Sequence, residues 1–148
     1  MEGLEDWYLS PVFSLPKAGQ GGDRLNEYFT ATEAENFVFY KVPKVLFTDE
    51  QYKELSTDAK ILYGLLLDRM HLSAKNGWVD KYRRVYQYFT IKQAQELLHF
   101  GHEKICRLFR ELEFVNLIER KRQGQGKPSI IYLKKFQDFW FSDFLKSE

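Results

Sequence analysis

Between Thr90 and Phe114 the chain reads TIKQAQELLHFGHEKICRLFRELEF. Apolar residues recur at helical spacing on both sides of a break at Gly101: Ile91, Ala94, Leu97 and Leu98 before it, Ile105, Leu108, Phe109 and Leu112 after it. Two amphipathic helices joined by so short a link cannot separate. Both must bury their apolar faces in one core, which forces them to cross. The spacing predicts a helix-turn-helix joined by a tight glycine turn. Thr90 and Gln93 have the capping-box spacing and mark the start of the first helix.

The neighbouring segments narrow the architecture. LSTDAKILYGLLLDRMHLSAKNG is a third and longer helix, with Ser56 or Thr57 as N-cap and Asp58 at the positive end of the dipole. Its predicted stripe is Ala59, Leu62, Leu65, Leu66 and Met70, and Asn76-Gly77 ends it. FVFYKVPKVLF (37–47) reads as a short extended segment turning into a brief helix, because Pro43 disfavours a central strand. RVYQYF is a short aromatic strand, while LIERKRQ and SIIYLKKF flank GQGKP as a β-hairpin. The order helix, strand, helix, helix, strand, strand is that of a winged helix. The expected fold is therefore α+β and mainly helical, a winged helix-turn-helix with a C-terminal hairpin wing and an N-terminal arm. Residues 1–36 are expected to form the arm, 37–136 the winged-helix domain and 137–148 a tail.

Charge is unevenly distributed. The net charge is +1, yet residues 60–135 carry sixteen Lys/Arg against seven Asp/Glu, and residues 1–59 carry five against eleven. A basic middle between acidic ends suits a polyanionic partner for that part alone. An uneven solvated surface would give the same count. The longest apolar run is too short to span a bilayer. MEGLEDWYLS lacks a basic segment leading into an apolar one, and Cys106 is the single cysteine, so a cytoplasmic protein without membrane association is expected.

Within the second helix of the pair, Glu103, Arg107 and Arg110 fall opposite the apolar stripe with Lys104 adjacent, and His102 stands at the N-terminal end. A recognition helix enters the major groove by its N-terminal part, and Arg or Lys there donates to guanine O6 and N7. A merely solvated charged face is the plainer reading. In the hairpin, Arg120, Lys121, Arg122 and Lys127 can neutralise phosphates, and Gln123 and Gln125 can bond to phosphates or base edges. Gly124 and Gly126 permit positive φ at the tip. Lys92 and Gln93 occupy the first turn of the preceding helix, whose free N–H groups suit a phosphate. These thirteen residues are the candidate DNA contacts.

Other chemistries find little support. His99, His102 and Cys106 are too few for zinc and fall on both sides of the break. GQGKPS lacks the spacing of a phosphate-binding loop. Neither metal, cofactor nor catalysis is expected.

FYKVPKVLF, LSTDAKILYGLLLDRMHLSAKNGW, RVYQYFT and LIERKRQGQGKPSIIYLKKF resemble the N-terminal domain of the replication initiator protein A family, found in theta-replicating plasmids and related mobile elements of Gram-positive bacteria. The likeness spans about residues 37–136. It implies a winged helix that binds double-stranded DNA at repeated origin sites, a homodimer, and recruitment of host replication proteins. By motif position, Lys104 matches a basic residue of the family's recognition helix and Arg120 to Lys127 match its wing. HFGHE departs from the family pattern, so phosphate contacts at 100 and 101 are not carried over. The family also carries a further C-terminal domain, whereas this sequence stops at Glu148, as an excised domain or a short relative would. Trp7, Tyr8, Val12 and Phe13 in the arm are the expected dimer contacts. Two rival functions share the fold: a winged-helix transcriptional regulator of a mobile element, and a winged helix used for protein contacts.

Overall fold

A computed structural model of the chain describes residues 27–33 and 37–136. Most of the expected arm, including Trp7, Tyr8, Val12 and Phe13, lies outside the described residues, as does the tail at 137–148. The chain separates into two units, Met1–Phe39 and Tyr40–Glu148. In the first, Thr30 and Glu33 close a turn (Glu33 N–H to Thr30 O, 3.1 Å). Phe29 and Phe37 meet edge to face with centroids 5.0 Å apart.

The second unit begins with α1 (Val45–Thr48) and a 3-10 turn at Glu50–Tyr52, in which the Asp49 carboxylate accepts from the Gln51 N–H at 2.8 Å. Val45, Leu46 and Tyr52 are buried there. Pro43 precedes α1, and no strand forms over 37–47, as its ring and missing N–H lead one to expect.

Helix α2 (Thr57–Lys75) is the central element. Ser56 has extended backbone and its Oγ accepts from the Ala59 N–H, so it is the N-cap. The buried surface is wider than the predicted stripe. Ala59, Leu62, Leu65 and Leu66 are buried as expected, but so are Tyr63, Gly64 and Arg69, while Met70 is only half-buried. The reason is that α2 packs against both the last helix and the sheet, and a helix covered on several sides has no single stripe. Arg69 donates to the Tyr88 carbonyl at 2.9 Å and lies over the Phe89 ring. The Tyr63 hydroxyl donates to the Lys134 carbonyl, and burial pushes its pKa up.

Three strands form one antiparallel sheet in the order β1-β3-β2: β1 (Tyr86–Tyr88), β2 (Ile118–Lys121) and β3 (Ile130–Leu133). Gln87, Ile131 and Arg120 share one register row, on the face toward the helices. Gln87 is an inward polar residue: its Nε2 donates to the Leu66 carbonyl at 2.9 Å, replacing the bond water would make. Tyr86, Tyr132 and Glu119 form the next row, and Tyr88, Ile130 and Lys121 another, both on the opposite face.

Between Trp78 and β1 the chain folds back in a turn organised by Asp80. Its carboxylate accepts from the Tyr82 and Arg84 N–H groups, the Arg84 Nε and the Tyr132 hydroxyl, at 2.8–3.1 Å. Desolvation pushes this carboxyl up, but those four donors outweigh it and hold its pKa at about 2.

Helix α3 (Ile91–Leu98) opens with the expected capping box: Thr90 Oγ1 accepts from the Gln93 N–H, and Gln93 Oε1 accepts from the Thr90 N–H. Helix α4 (His102–Phe114) follows after three residues. The turn between them is as tight as expected, and its left-handed residue precedes the glycine. Gly101 has φ −71° and is the N-cap of α4, whereas His99 takes the left-handed conformation at φ 59°. A helix end of this kind needs one positive φ at its C-cap, and histidine is among the non-glycine residues that enter that region. Asn116 does the same after α4, with φ 65°. Ile105, Leu108, Phe109 and Leu112 are wholly buried, as the wheel predicts.

Two outcomes are expected. Gly64→Ala would place a Cβ 2.9 Å from Val42 Cγ2 and 3.1 Å from the Lys41 carbonyl oxygen. Overpacking of about 1–3 kcal/mol should exceed the ~1 kcal/mol gain in helix propensity, so urea unfolding should show a less stable protein. For Asp80, the depressed folded pKa means that its stabilisation is complete above the unfolded value of roughly 4 and lost as pH falls through about 2. Acid titration followed by near-ultraviolet circular dichroism should show a transition below pH ~4 that is reduced in Asp80→Asn.

Candidate nucleic-acid interface

The buried stripe of α4 fixes the rotation of the helix, and with it what faces outward. His102, Glu103, Arg107 and Arg110 are exposed. Together with Lys104 and Cys106 they line one shallow open depression. Both ring nitrogens of His102 lie 3.8 Å from the Cys106 sulfur. Neither Arg107 nor Arg110 stands within ion-pair distance of an acid among the described residues. Two guanidinium groups three residues apart therefore project from one helix face, free to donate outward.

Lys104 is placed differently. Its ammonium pairs with Asp58 of α2 at 2.8 Å and sits 3.7 Å over the Phe100 ring. Sequence alone put it on the outward face beside Glu103; instead it crosses to the N-terminal turn of α2. The α2–α4 contact has a second polar tie. Glu111 accepts from both the Ser56 N–H (3.0 Å) and the Ser56 hydroxyl (2.9 Å), so it holds the α2 cap and α4 in fixed relation. Neither tie was foreseen, since the partners lie 46 and 55 residues apart and no local spacing marks them.

The basic residues of the hairpin divide into two groups. At its base, Arg120 donates to Glu113 of α4 through Nε at 2.7 Å and also through its terminal nitrogen, with its guanidinium 4.9 Å from the Phe109 ring centroid. Lys121 stands 3.7 Å from Glu119 and over the Tyr132 ring. At the tip, Arg122, Gln123, Gln125 and Lys127 are all exposed. There Lys127 N–H donates to the Gly124 carbonyl, and φ is 125° at Gly124 and 79° at Gly126, the conformations for which glycine suits this loop.

At the start of α3, Lys92 is exposed. Gln93 is half-buried and its carbonyl is engaged in the capping box, which leaves only its amide N–H groups for a ligand. Among the described residues no three His, Cys, Asp or Glu side chains gather as metal ligands. Nor is any described helix long and apolar enough to cross a membrane.

Three comparisons bear on this arrangement. A family model described as the replication initiator protein A (RepA) N-terminus matches residues 38–144. A 41 kDa protein of Lactobacillus helveticus is 39% identical over 111 residues, covering 71% of this chain. The match spans 31% of that relative's own length. Among solved structures, an N-terminal domain of a DNA binding protein is 38% identical with a TM-score of 0.64, covering 81% of this chain and 93% of that one. A Rep–DNA complex is 37% identical with a TM-score of 0.63, covering 82% and 95%. An MDR initiator is 38% identical with a TM-score of 0.62, covering 82% and 99%.

The Glu111 tie yields a direct contrast. Glu111→Ala leaves two Ser56 donors without their acceptor and should lower unfolding free energy by about 1–3 kcal/mol. Glu103→Ala, on the exposed face of the same helix, should stay within roughly 0.5 kcal/mol of the parent. Equal effects in urea titrations of the two variants would remove Glu111 from its anchoring role.

Proposed function

The chain belongs to the replication initiator protein A N-terminus family, and from that premise we propose that it binds double-stranded DNA sequence-specifically at repeated sites of a replication origin. In this reading residues 37–136 are a winged helix-turn-helix, α4 is the recognition helix and the hairpin 118–133 is the wing. The observation that carries it is the set of exposed cations on these two elements that have no acidic partner among the described residues: Arg107 and Arg110 on α4, Arg122 and Lys127 on the hairpin. The Rep–DNA complex among the similar structures supports a DNA ligand.

The thirteen candidate residues then have unequal tasks. Arg107 and Arg110 read base edges in the major groove, with His102 and Glu103 beside them. Arg122, Gln123, Gln125 and Lys127 hold phosphates, and Lys92 and Gln93 meet a phosphate at the α3 N-terminus. Lys104 and Arg120 act mainly by position, while Lys121 adds an exposed positive charge at the base of the hairpin. The first ties α4 to α2, and the second ties the base of the hairpin to α4. Arg120 thereby couples the aim of the tip to that of the helix.

The domain performs no chemistry of its own, needs neither metal nor cofactor, and works in the cytoplasm as a homodimer joined through the 1–36 arm. Host replication proteins are met through parts of the parent protein beyond this domain, as the short span within the longer relative suggests.

Competition binding on a repeat-bearing duplex and a random one separates the two kinds of contact. Arg107→Ala should lower the specific-to-random ratio about tenfold, within the ~1–3 kcal/mol of a bidentate base contact. Lys127→Ala should weaken both duplexes alike and flatten the log K against log salt slope by about 0.9. A ratio untouched by Arg107→Ala, with equal losses on both duplexes, would contradict base reading from α4.

A further inference from the structure

Opposite the helices, the sheet presents a face that duplex binding leaves unexplained. Trp78, Tyr86, Tyr88 and Tyr132 gather on it, each partly exposed. Trp78 stacks on Tyr86 at 6.4 Å with an interplanar angle of 8°, and meets Tyr88 edge-on at 5.5 Å. Tyr86 lies 5.8 Å from Tyr88 and 6.4 Å from Tyr132. Strand sequence explains the placement: Gln87 turns inward to Leu66, so both flanking tyrosines of β1 must turn outward.

Cations border these rings. The Arg84 guanidinium lies over Tyr132 and Tyr82, at 4.8 and 5.1 Å, and the Lys81 ammonium lies 5.0 Å over Tyr82. Lys121 approaches Tyr132 from the neighbouring strand. The acids on this face are already occupied. Asp80 holds the turn and Arg84, and Glu119 faces Lys121. Lys81 and Arg83 are exposed and stand outside every ion pair among the described residues. Arg83 holds φ 63°, a conformation that non-glycine residues seldom adopt, in the turn that Asp80 organises. Tyr82, 66% exposed, stands at the tip of the same turn.

We propose that this outer sheet face is a second nucleic-acid site, specific for single-stranded DNA, on which unpaired bases stack while Lys81, Arg83 and Arg84 follow the phosphates. Flat rings partly open to solvent, bordered by cations of which Lys81 and Arg83 have no acidic partner among the described residues, form the stacking platform that single strands use and that a base-paired duplex cannot reach. The net positive character of the face complements a polyanion and disfavours a second copy of the same surface. The proposal rests on the reading that the chain acts at a replication origin, where a strand is exposed once the duplex opens. The platform lies on the face of the sheet away from the helices, whereas Arg107 and Arg110 project from α4, so the two sites can be altered separately.

The test uses the whole 148-residue chain and a fluorescent oligo(dT) of about 15 nucleotides, a length suited to sites of this kind. The parent should bind it. Tyr82→Ala should weaken binding about fivefold or more, as expected for loss of one stacked base. Arg83→Ala should weaken it and flatten its salt dependence, and both variants should bind the repeat-bearing duplex unchanged. Arg107→Ala should do the opposite, losing duplex preference while keeping oligo(dT). Because Tyr82 and Arg83 are exposed, their variants leave the core intact; Trp78→Phe adds a spectroscopic check, as it should remove part of the tryptophan quenching caused by oligo(dT). No binding of oligo(dT) by the parent, or unchanged affinity in Tyr82→Ala and Arg83→Ala, overturns the proposal. So does loss of oligo(dT) binding in Arg107→Ala, which would place the strand in the duplex site. Altered sedimentation of the Tyr82 variant without change in oligo(dT) affinity would make the face an interface between copies, and also overturns it. Loss of repeat-duplex binding in the parent would defeat the functional reading instead, and is scored in its own assay.

Discussion

Exclusion of water from Ile105, Leu108, Phe109 and Leu112 sets the rotation of α4, and most of what the domain presents outward follows from that. Each of these side chains gains roughly 1.5–3 kcal/mol from full burial, so rotating the helix by one residue would forfeit more than any surface ion pair could return. Arg107 and Arg110 face solvent because the stripe leaves them no alternative. The same packing carries α4 against α2 and the base of the hairpin, so the exposed arginines are aimed by the core.

Polar contacts then refine a placement that apolar burial has decided. Glu111 on Ser56, Lys104 on Asp58 and Arg120 on Glu113 all join α4 to a neighbouring element. The two half-exposed ion pairs, Lys104 on Asp58 and Arg120 on Glu113, contribute little stability individually, whereas Glu111 also satisfies the two Ser56 donors. Their effect is directional: each holds one charged group away from solvent-facing duty and fixes the angle between two elements. What remains open on α4 and the hairpin is a smaller and better-defined cationic set than the composition suggests, with Arg107 and Arg110 on the helix and Arg122 and Lys127 on the hairpin tip.

Local regularities were legible in the sequence. The capping box at Thr90, the Ser56 cap, the stripe of α4 and the two hairpin strands are encoded within a few residues of where they act, and the structure bears them out. The family was also readable, from the hairpin and the long helix together. What escaped reading depends on distant partners. Lys104 looks free until Asp58 is brought alongside, and Arg120 until the hairpin closes on Glu113. The tight turn at Gly101 was legible, but the positive φ within it falls on His99, which no local signal marked. The outward tyrosines of β1 were hidden because the strand buries its glutamine, which inverts the usual alternation.

The central claim is that α4 and the hairpin tip engage one duplex together. Mapping backbone amide shifts by nuclear magnetic resonance, during titration with a duplex carrying the origin repeat, examines both elements in one experiment. The account predicts that residues 102–110 and 122–127 shift in parallel and saturate at the same DNA ratio, with 80–88 unmoved. Shifts confined to one element, or centred on 80–88, would contradict it.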